Sequence, residues 1–351
     1  MNKLTKVGCS ALCGSLAAIS AAHAGDLTVT GGADMTWVSK SKEANGNPIG
    51  IGSNWSLKGD GELDNGWTFG ITIANTNANA YSSTAVNLVM GGLGSLNINS
   101  GDSGNGIQAM DDKMPTAWEE VWGAGSGTGT RPLVSGVGPS MNVQYTTPKL
   151  LGTTLVVAYA PVAGQSDTGD KATGGVGAGK GAGYDATFNI NPTMGTEILS
   201  GLNLFGGGHY TEIYDGHSVE HDTYQATAGM TFDIGPMSLG FQKSGEYTGQ
   251  DKGATANYHT YVNWTYAVAF NVNDDLSVSY GKSESRQAGY NKSSASTSEG
   301  SRRVIVNGVQ AAYTMGGASL RVANIDTENA YFSTSTSADK NQTIVSLGLA
   351  F

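Results

Sequence analysis

An alternation with a period of two runs through this chain from one end to the other. In the last stretch Val345, Leu347, Leu349 and Phe351 fall on one side, and Ile344, Ser346, Gly348 and Ala350 on the other. Successive side chains of a β-strand point to opposite faces, so this stretch has one continuously apolar face and one that is mostly small or polar. A wall with lipid outside and water inside requires that pattern.

The pattern recurs often enough to define an architecture. Strands are expected at 27–37, 51–57, 67–73, 86–90, 96–98, 141–145, 155–159, 184–190, 202–210, 224–234, 237–241, 258–270, 276–280, 302–315, 318–325 and 340–351, sixteen in all. The facing of 302–315 stays open, because apolar residues there occupy both parities. Connections alternate too. Tight turns such as Asp64-Asn65-Gly66, Gly235-Pro236 and Gly316-Gly317 separate strands on one side, and long polar segments join them on the other. Trp and Tyr recur near strand ends, as interfacial girdles do. The expected fold is all-β: a closed antiparallel transmembrane β-barrel of 16 strands with its long third loop folded into the lumen.

Composition agrees once the barrel is considered. Only 14% of residues are charged, 52 are Gly, and no stretch after residue 24 is apolar for the ~20 residues a membrane helix needs. In a barrel only alternate residues touch lipid, so average hydropathy stays unremarkable. Residues 1–24 read as a secretory signal peptide, with Lys3 and Lys6 basic, a small and apolar middle, and an Ala22-His23-Ala24 cleavage site. Residues 25–351 then form the barrel domain. Cys9 and Cys13 both lie in the signal, so the mature chain has no thiol or Cys-ligated metal. Removing Lys3 and Lys6 leaves 17 basic against 29 acidic residues, net −12, which disfavours nucleic acid as a partner and favours cations over anions.

Two segments carry a family resemblance. Val143-Gln-Tyr-Thr-Thr-Pro-Lys-Leu-Leu-Gly152, continuing to Tyr159, resembles the strand, Tyr-x-x-Pro turn and strand of Gram-negative general diffusion porins. Gly92-Leu-Gly-Ser-Leu-Asn-Ile-Asn99 resembles the strand before their constriction loop. With the signal, the strand count and the terminal Phe351, the likeness covers essentially the whole mature chain. It implies a homotrimer of sixteen-stranded barrels in the cell outer membrane, in contact with lipid bilayer and lipopolysaccharide, each pore narrowed by an inward-folded third loop. It also implies that barrel-assembly machinery reads the C-terminal aromatic. The acidic, Phe-Gly containing signature of enterobacterial third loops is absent, and Asn75 to Ser83 is short for their intersubunit latch. In those respects the chain looks more like marine or alphaproteobacterial porins.

The segment from Gly101 to Pro139 is far longer than ordinary connections, and such loops are usually functional. Thr116-Ala-Trp-Glu119 reads as a capping box, with Trp118, Val121 and Trp122 along one apolar edge of a short helix. If that edge packs on the wall, Glu120 faces the lumen, while the cap partly occupies Glu119. Asp102, Asp111 and Asp112 add acid to the aperture, where low-dielectric walls focus their field and attract cations. Lys58 and Arg321 are the expected inward basic residues of the facing wall, with Lys40 nearer the outer rim. The rest of the inner face is mild: Thr28, Thr30, Asp34, Asn142, Gln144, Gln225, His259 and Asn263 hydrogen-bond water and bind nothing tightly.

These features point to passive diffusion of ions and small hydrophilic solutes with a mild cation preference, and no cofactor. The alternative is a substrate-selective channel for one nutrient. Three motifs fail on context. Gly174 to Lys180 lacks the Ser or Thr of a phosphate-binding loop. His217-Ser-Val-Glu220-His221 lacks the helix that zinc chemistry needs. Asp60 to Ile71 lacks the Gly and terminal Glu of a calcium loop. An enzymatic barrel needs a clustered nucleophile and base, and the sequence places none beside His209, His217, His221 or His259. A soluble β-rich adhesin would expose its apolar faces, and purification without detergent would identify it.

Overall fold

A computed structural model describes residues 26–41, 46–77, 82–101, 104–138, 140–165, 180–192, 199–214, 221–249, 258–289 and 302–351. The signal segment, Asp102 and the motif residues 174–179 and 217–220 lie outside the described residues. Sixteen strands form one closed antiparallel barrel in which each strand pairs with its neighbours in sequence. They are β1 (Leu27–Ser41), β2 (Ile49–Glu62), β3 (Thr68–Thr76), β4 (Ser83–Val89), β5 (Ser95–Ser100), β6 (Asn142–Thr146), β7 (Thr153–Ala160) and β8 (Lys180–Ile190). The second half comprises β9 (Leu202–Ile213), β10 (Thr223–Ile234), β11 (Met237–Tyr247), β12 (Tyr258–Asn271), β13 (Leu276–Gly289), β14 (Arg302–Met315), β15 (Ala318–Glu328) and β16 (Lys340–Ala350).

Closure joins the two ends of the chain. β1 pairs with β16 from Gly32 opposite Ala350 to Ser41 opposite Asn341. Phe351 continues the ladder by exchanging backbone hydrogen bonds with Gly31, at 2.9 and 3.2 Å. A closed ladder leaves no unpaired edge, which is what allows strands to cross hydrocarbon. The expected apolar sets point outward: Val29, Trp37, Leu155, Val157, Phe241, Phe270, Val322, Leu347 and Leu349 are all exposed on the barrel exterior. Tyr159, Tyr184, Tyr210, Tyr224 and Tyr247 form a continuous outward row across β7 to β11, with ring centroids 5.3 to 6.3 Å apart. Such a row marks a lipid–water interface. The Tyr-x-x-Pro segment has a local reason as well, since the Tyr145 hydroxyl donates to the Leu93 carbonyl at 2.6 Å and ties two adjacent turns together.

β14 shows why its facing was open in the sequence. Val309, Tyr313 and Met315 are exposed to the outside, whereas Val304 and Val306 point inward and are fully buried. They join Val121, Ala323, Ile325, Phe332 and Ile344 in an apolar cluster inside the barrel. The strand is apolar on both faces because lipid covers one and the folded-in loop covers the other.

Candidate functional site

The segment between β5 and β6 runs out and back along the inner wall, held by wall side chains strand after strand. On the way out, Asn105 donates to Asn97 and Asn142, Gly106 N to Gln144, and Ile107 N to Asp185, all between 2.7 and 2.9 Å. Gln242 then donates to the Met110 carbonyl at 2.7 Å, and Ala117 N donates to Ser279 at 2.9 Å. Gln310 accepts from Glu119 N at 3.0 Å and donates to the Glu119 carbonyl at 2.6 Å. Gln342 on β16 clamps Ser126 in the same two-bond fashion, at 2.7 Å both ways. On the return, Asn263 meets the Pro132 carbonyl, Gln225 accepts from Ser135 N and Gly136 N, and Val137 N returns to Asp185 at 3.1 Å. At about 1 kcal/mol per net bond, these contacts together fix the loop firmly. The loop thereby meets inner-face side chains of β5 and β6 and of strands from β8 to β16.

Asp185 is the junction of this arrangement. One carboxylate oxygen accepts from both ends of the loop, Ile107 N and Val137 N, and the other meets His209 Nδ1 at 2.5 Å. His209 Nε2 lies 2.6 Å from the Thr211 hydroxyl, and all three residues are buried. Gly106 and Gly136 approach with φ of +60° and +53°, and a Cβ on either would collide with the Asp185 carboxylate. The sequence placed Asn142, Gln144, Gln225 and Asn263 correctly on the inner face but treated them as water-facing. Their side chains instead hold the loop. Asp185, Gln242, Gln310 and Gln342 were missed altogether; their inward parity combined with long amide or acid side chains was the available signal.

The loop acids sit together but differ in environment. The short helix is α1 (Val121–Ala124), and Thr116 to Glu119 lie before it in irregular backbone, so the expected capping box does not form. Val121 and Trp118 do pack on the inner apolar cluster. Glu120 does not face the lumen: it is buried, with Oε1 accepting from Met114 N at 2.8 Å and Oε2 from Trp122 Nε1 at 2.5 Å. Burial pushes its carboxyl well above the usual range. Asp111 staples the two legs of the loop by accepting from Leu133 N at 3.0 Å. Burial, then neighbouring Asp112, raises its carboxyl to about 7 against the pull of the Val134 and Leu133 amides. Glu119 is half-buried, accepts from Glu120 N, and is raised chiefly by burial. Asp112 alone among the four is exposed. Its carboxyl is still raised, since the surrounding protein thins the solvent around it, while Lys113 pulls it back.

The basic wall residues are present on the inner face but matched by acids. Lys58 is exposed and lies 3.1 Å from Asp60. Arg321 is not an open pore cation: it is 5% exposed, pairs with Asp34 at 3.0 Å and stands 5.8 Å from the Trp118 ring. A further cation that the sequence did not single out, Arg131, forms two 2.7 Å bonds to Glu246 and stacks 4.9 Å over Tyr261.

A closed sixteen-strand barrel with a loop clamped across its lumen is a channel architecture, and sequence comparison gives it a family. Residues 8–301 match the profile of the Gram-negative porins. The chain belongs to that family. The same barrel recurs in OmpF of Salmonella typhi, solved with daunomycin, at TM-score 0.66 and 14% identity over 95% of this chain and 100% of that one. The anion-selective porin from Comamonas acidovorans superposes at TM-score 0.61 and 14% identity, covering 93% and 99%. OmpT, an outer membrane protein of Vibrio cholerae, does so at 0.61 and 10%, covering 93% and 98%. At such identities the likeness is one of fold. No curated protein matches the chain in sequence. Membership makes this porin an outer-membrane diffusion pore, and porins are channels.

Proposed function

We propose that residues 25–351, after removal of the 1–24 signal, assemble as homotrimers whose pores pass ions and small hydrophilic solutes with a mild preference for cations. The constriction loop would be 101–139, with Asp112 as its principal water-facing charge and Asp102, Asp111, Glu119 and Glu120 contributing to its acidity. One observation carries the sign of this preference. The wall cations Lys58 and Arg321 each have a carboxylate within 3.1 Å, whereas the loop carboxylates Asp111, Glu119 and Glu120 all feel the charge of Asp112, which has Lys113 beside it. The excess charge at the aperture is therefore acidic. The same crowding keeps the preference mild, because burial holds part of that acid protonated near neutrality. The fold alone does not choose a sign, since it is shared by an anion-selective porin.

Reversal potentials across a planar bilayer in a KCl gradient test the reading. The expected result is cation preference that falls in Asp112→Asn with single-channel conductance nearly kept. Anion preference in the unaltered porin would sink the assignment.

A further inference from the structure

We propose that the outer vestibule holds a binding subsite for sugar acids: a cavity beside the folded-in loop whose lysine takes the solute's carboxylate and whose arginine–glutamate pair takes its hydroxyls. The inference rests on the chain being a diffusion pore, and it deepens that reading by naming a solute class.

The cavity lies where wall strands reach the long connections. Lys180 opens β8, Thr223 opens β10, Glu246 stands one residue before the end of β11, and Tyr258 opens β12. The connections at these strand ends are the long ones, which places the cavity on the external side. Residues 135–137, on the return leg of the folded-in loop, line it together with those wall residues, and it encloses about 560 Å3. That volume is typical of sites for small organic molecules. None of the loop acids Asp111, Asp112, Glu119 and Glu120 lines it, so it is separate from the acidic aperture.

Two polar poles face each other across it. Lys180 lines the cavity, is exposed, and makes no ion pair among the described residues. It is the last residue of the Gly-rich segment that fails as a phosphate-binding loop, so its charge is otherwise unassigned. At the other pole Arg131 and Glu246 hold each other through two bonds of 2.7 Å. Their strand, β11, is three places round the wall from β8, roughly 14 Å at ordinary strand spacing. Arg131 uses two of its five N–H groups on the pair, and the Glu246 carboxylate keeps lone pairs to spare. A donor and an acceptor held side by side suit two adjacent hydroxyls, one accepting and one donating. Thr223 adds a further hydroxyl, and Ile213 and Tyr258 give an apolar wall for the C–H face of a sugar ring.

Charge decides the class of solute. Lys180 and Arg131 against Glu246 leave a formal charge of +1 on the cavity lining. His209 also lines it, but its two ring nitrogens are taken by Asp185 and Thr211. A monoanion matches that balance. A bare carboxylate or phosphate would meet Lys180 and leave the opposite pole unused, and a neutral sugar would leave Lys180 unmatched. A hexuronate carries both functions on one ring. Such a subsite also serves a pore whose aperture is acidic: anions are repelled there, and a cation in the vestibule raises their concentration before they reach it. The contacts are few and open to water, so the solute leaves again.

The test titrates D-glucuronate into the full porin in detergent and follows binding by saturation-transfer NMR, with D-glucose, acetate and inorganic phosphate as comparison solutes. Glucuronate should bind about tenfold more tightly than any of the three, since each lacks one pole's worth of contacts. Lys180→Gln should weaken glucuronate about tenfold and leave glucose unchanged, and Lys180→Arg, which keeps the charge, should retain most of the affinity. Heat-modifiable electrophoretic mobility checks that both variants fold. Equal binding of glucose, acetate or phosphate would overturn the proposal, and so would unchanged glucuronate affinity in folded Lys180→Gln. Binding in detergent is read without conduction, so the pore reading is tested apart from it. Single-channel conductance in KCl should be nearly the same in Lys180→Gln as in the unaltered porin, and a conducting porin that binds no glucuronate loses the subsite alone.

Discussion

Replacing Asp185 with Ala should loosen the folded-in loop at its root and nowhere else. The carboxylate accepts two loop amides, at 2.8 and 3.1 Å, and pairs with buried His209 at 2.5 Å. Removing one member of a buried pair costs about 3–5 kcal/mol, largely through the partners left unsatisfied. If that cost falls on local opening of residues 104–107 and 135–138, the opening equilibrium rises by about a hundredfold or more. The clamps at Gln310 and Gln342 are far along the wall and independent of Asp185, so the middle of the loop stays docked. Amide exchange of the folded porin measures this directly. Ile107 and Val137 should lose about two orders of magnitude of protection, while Ser126 keeps its own. Asp185→Asn, which retains one carbonyl acceptor, should fall between. If Ile107 and Val137 exchange in Asp185→Ala as they do in the unaltered porin, the carboxylate is not the junction described.

Three further outcomes follow from the same geometry. Cation preference should rise with pH through about 7, because Asp111 is raised to about 7 and gains its negative charge there; Asp111→Asn should flatten that step in reversal potential. The sign for loop docking is opposite. An acid raised in the folded state favours that state when protonated, so docking is strongest below the ordinary carboxylate range and weakens as pH rises toward 7, which amide exchange at Leu133 and Val134 would register. Deleting Phe351 removes two backbone bonds at the seam between β1 and β16, and should lower the yield of heat-modifiable folded barrel more than the conductance of the barrels that form. Raising salt from 0.1 to 1 M shortens screening from about 10 to about 3 Å, so ion preference should shrink while exchange at Ala117 and Ser126, held by neutral side chains, stays constant.

The barrel was legible in the sequence because its main physical demand is local. Each strand must alternate, and a one-residue slip would turn every side chain to the wrong solvent, so the pattern was written sixteen times. The facing stayed open at β14, where Val304 and Val306 serve the loop and not the lipid. The constriction was less legible for the same reason. Whether Glu120 faces water depends on where Met114 and Trp122 lie, and those positions follow from loop contacts made to residues more than a hundred positions away, such as Ser279 and Gln310. Parity tells which side of a wall a residue occupies. It does not tell whether water or another segment stands there.

That distinction separates two kinds of polar residue in the lumen. The side chains that clamp the loop are mostly neutral: Gln144, Gln225, Gln242, Ser279, Gln310 and Gln342. An amide that both donates and accepts can replace the two bonds a neighbouring strand would make, and it does so without a charge whose desolvation would oppose docking. Asp185 is the charged exception, and it comes with buried His209 and two amides around it. Lys58 and Arg321 are kept next to carboxylates in the wall. Asp112 stays exposed, and in the proposed reading it is the acid that solutes meet. Neutral residues set the aperture's shape and a few acids its electrostatics, so substitutions can change one without the other.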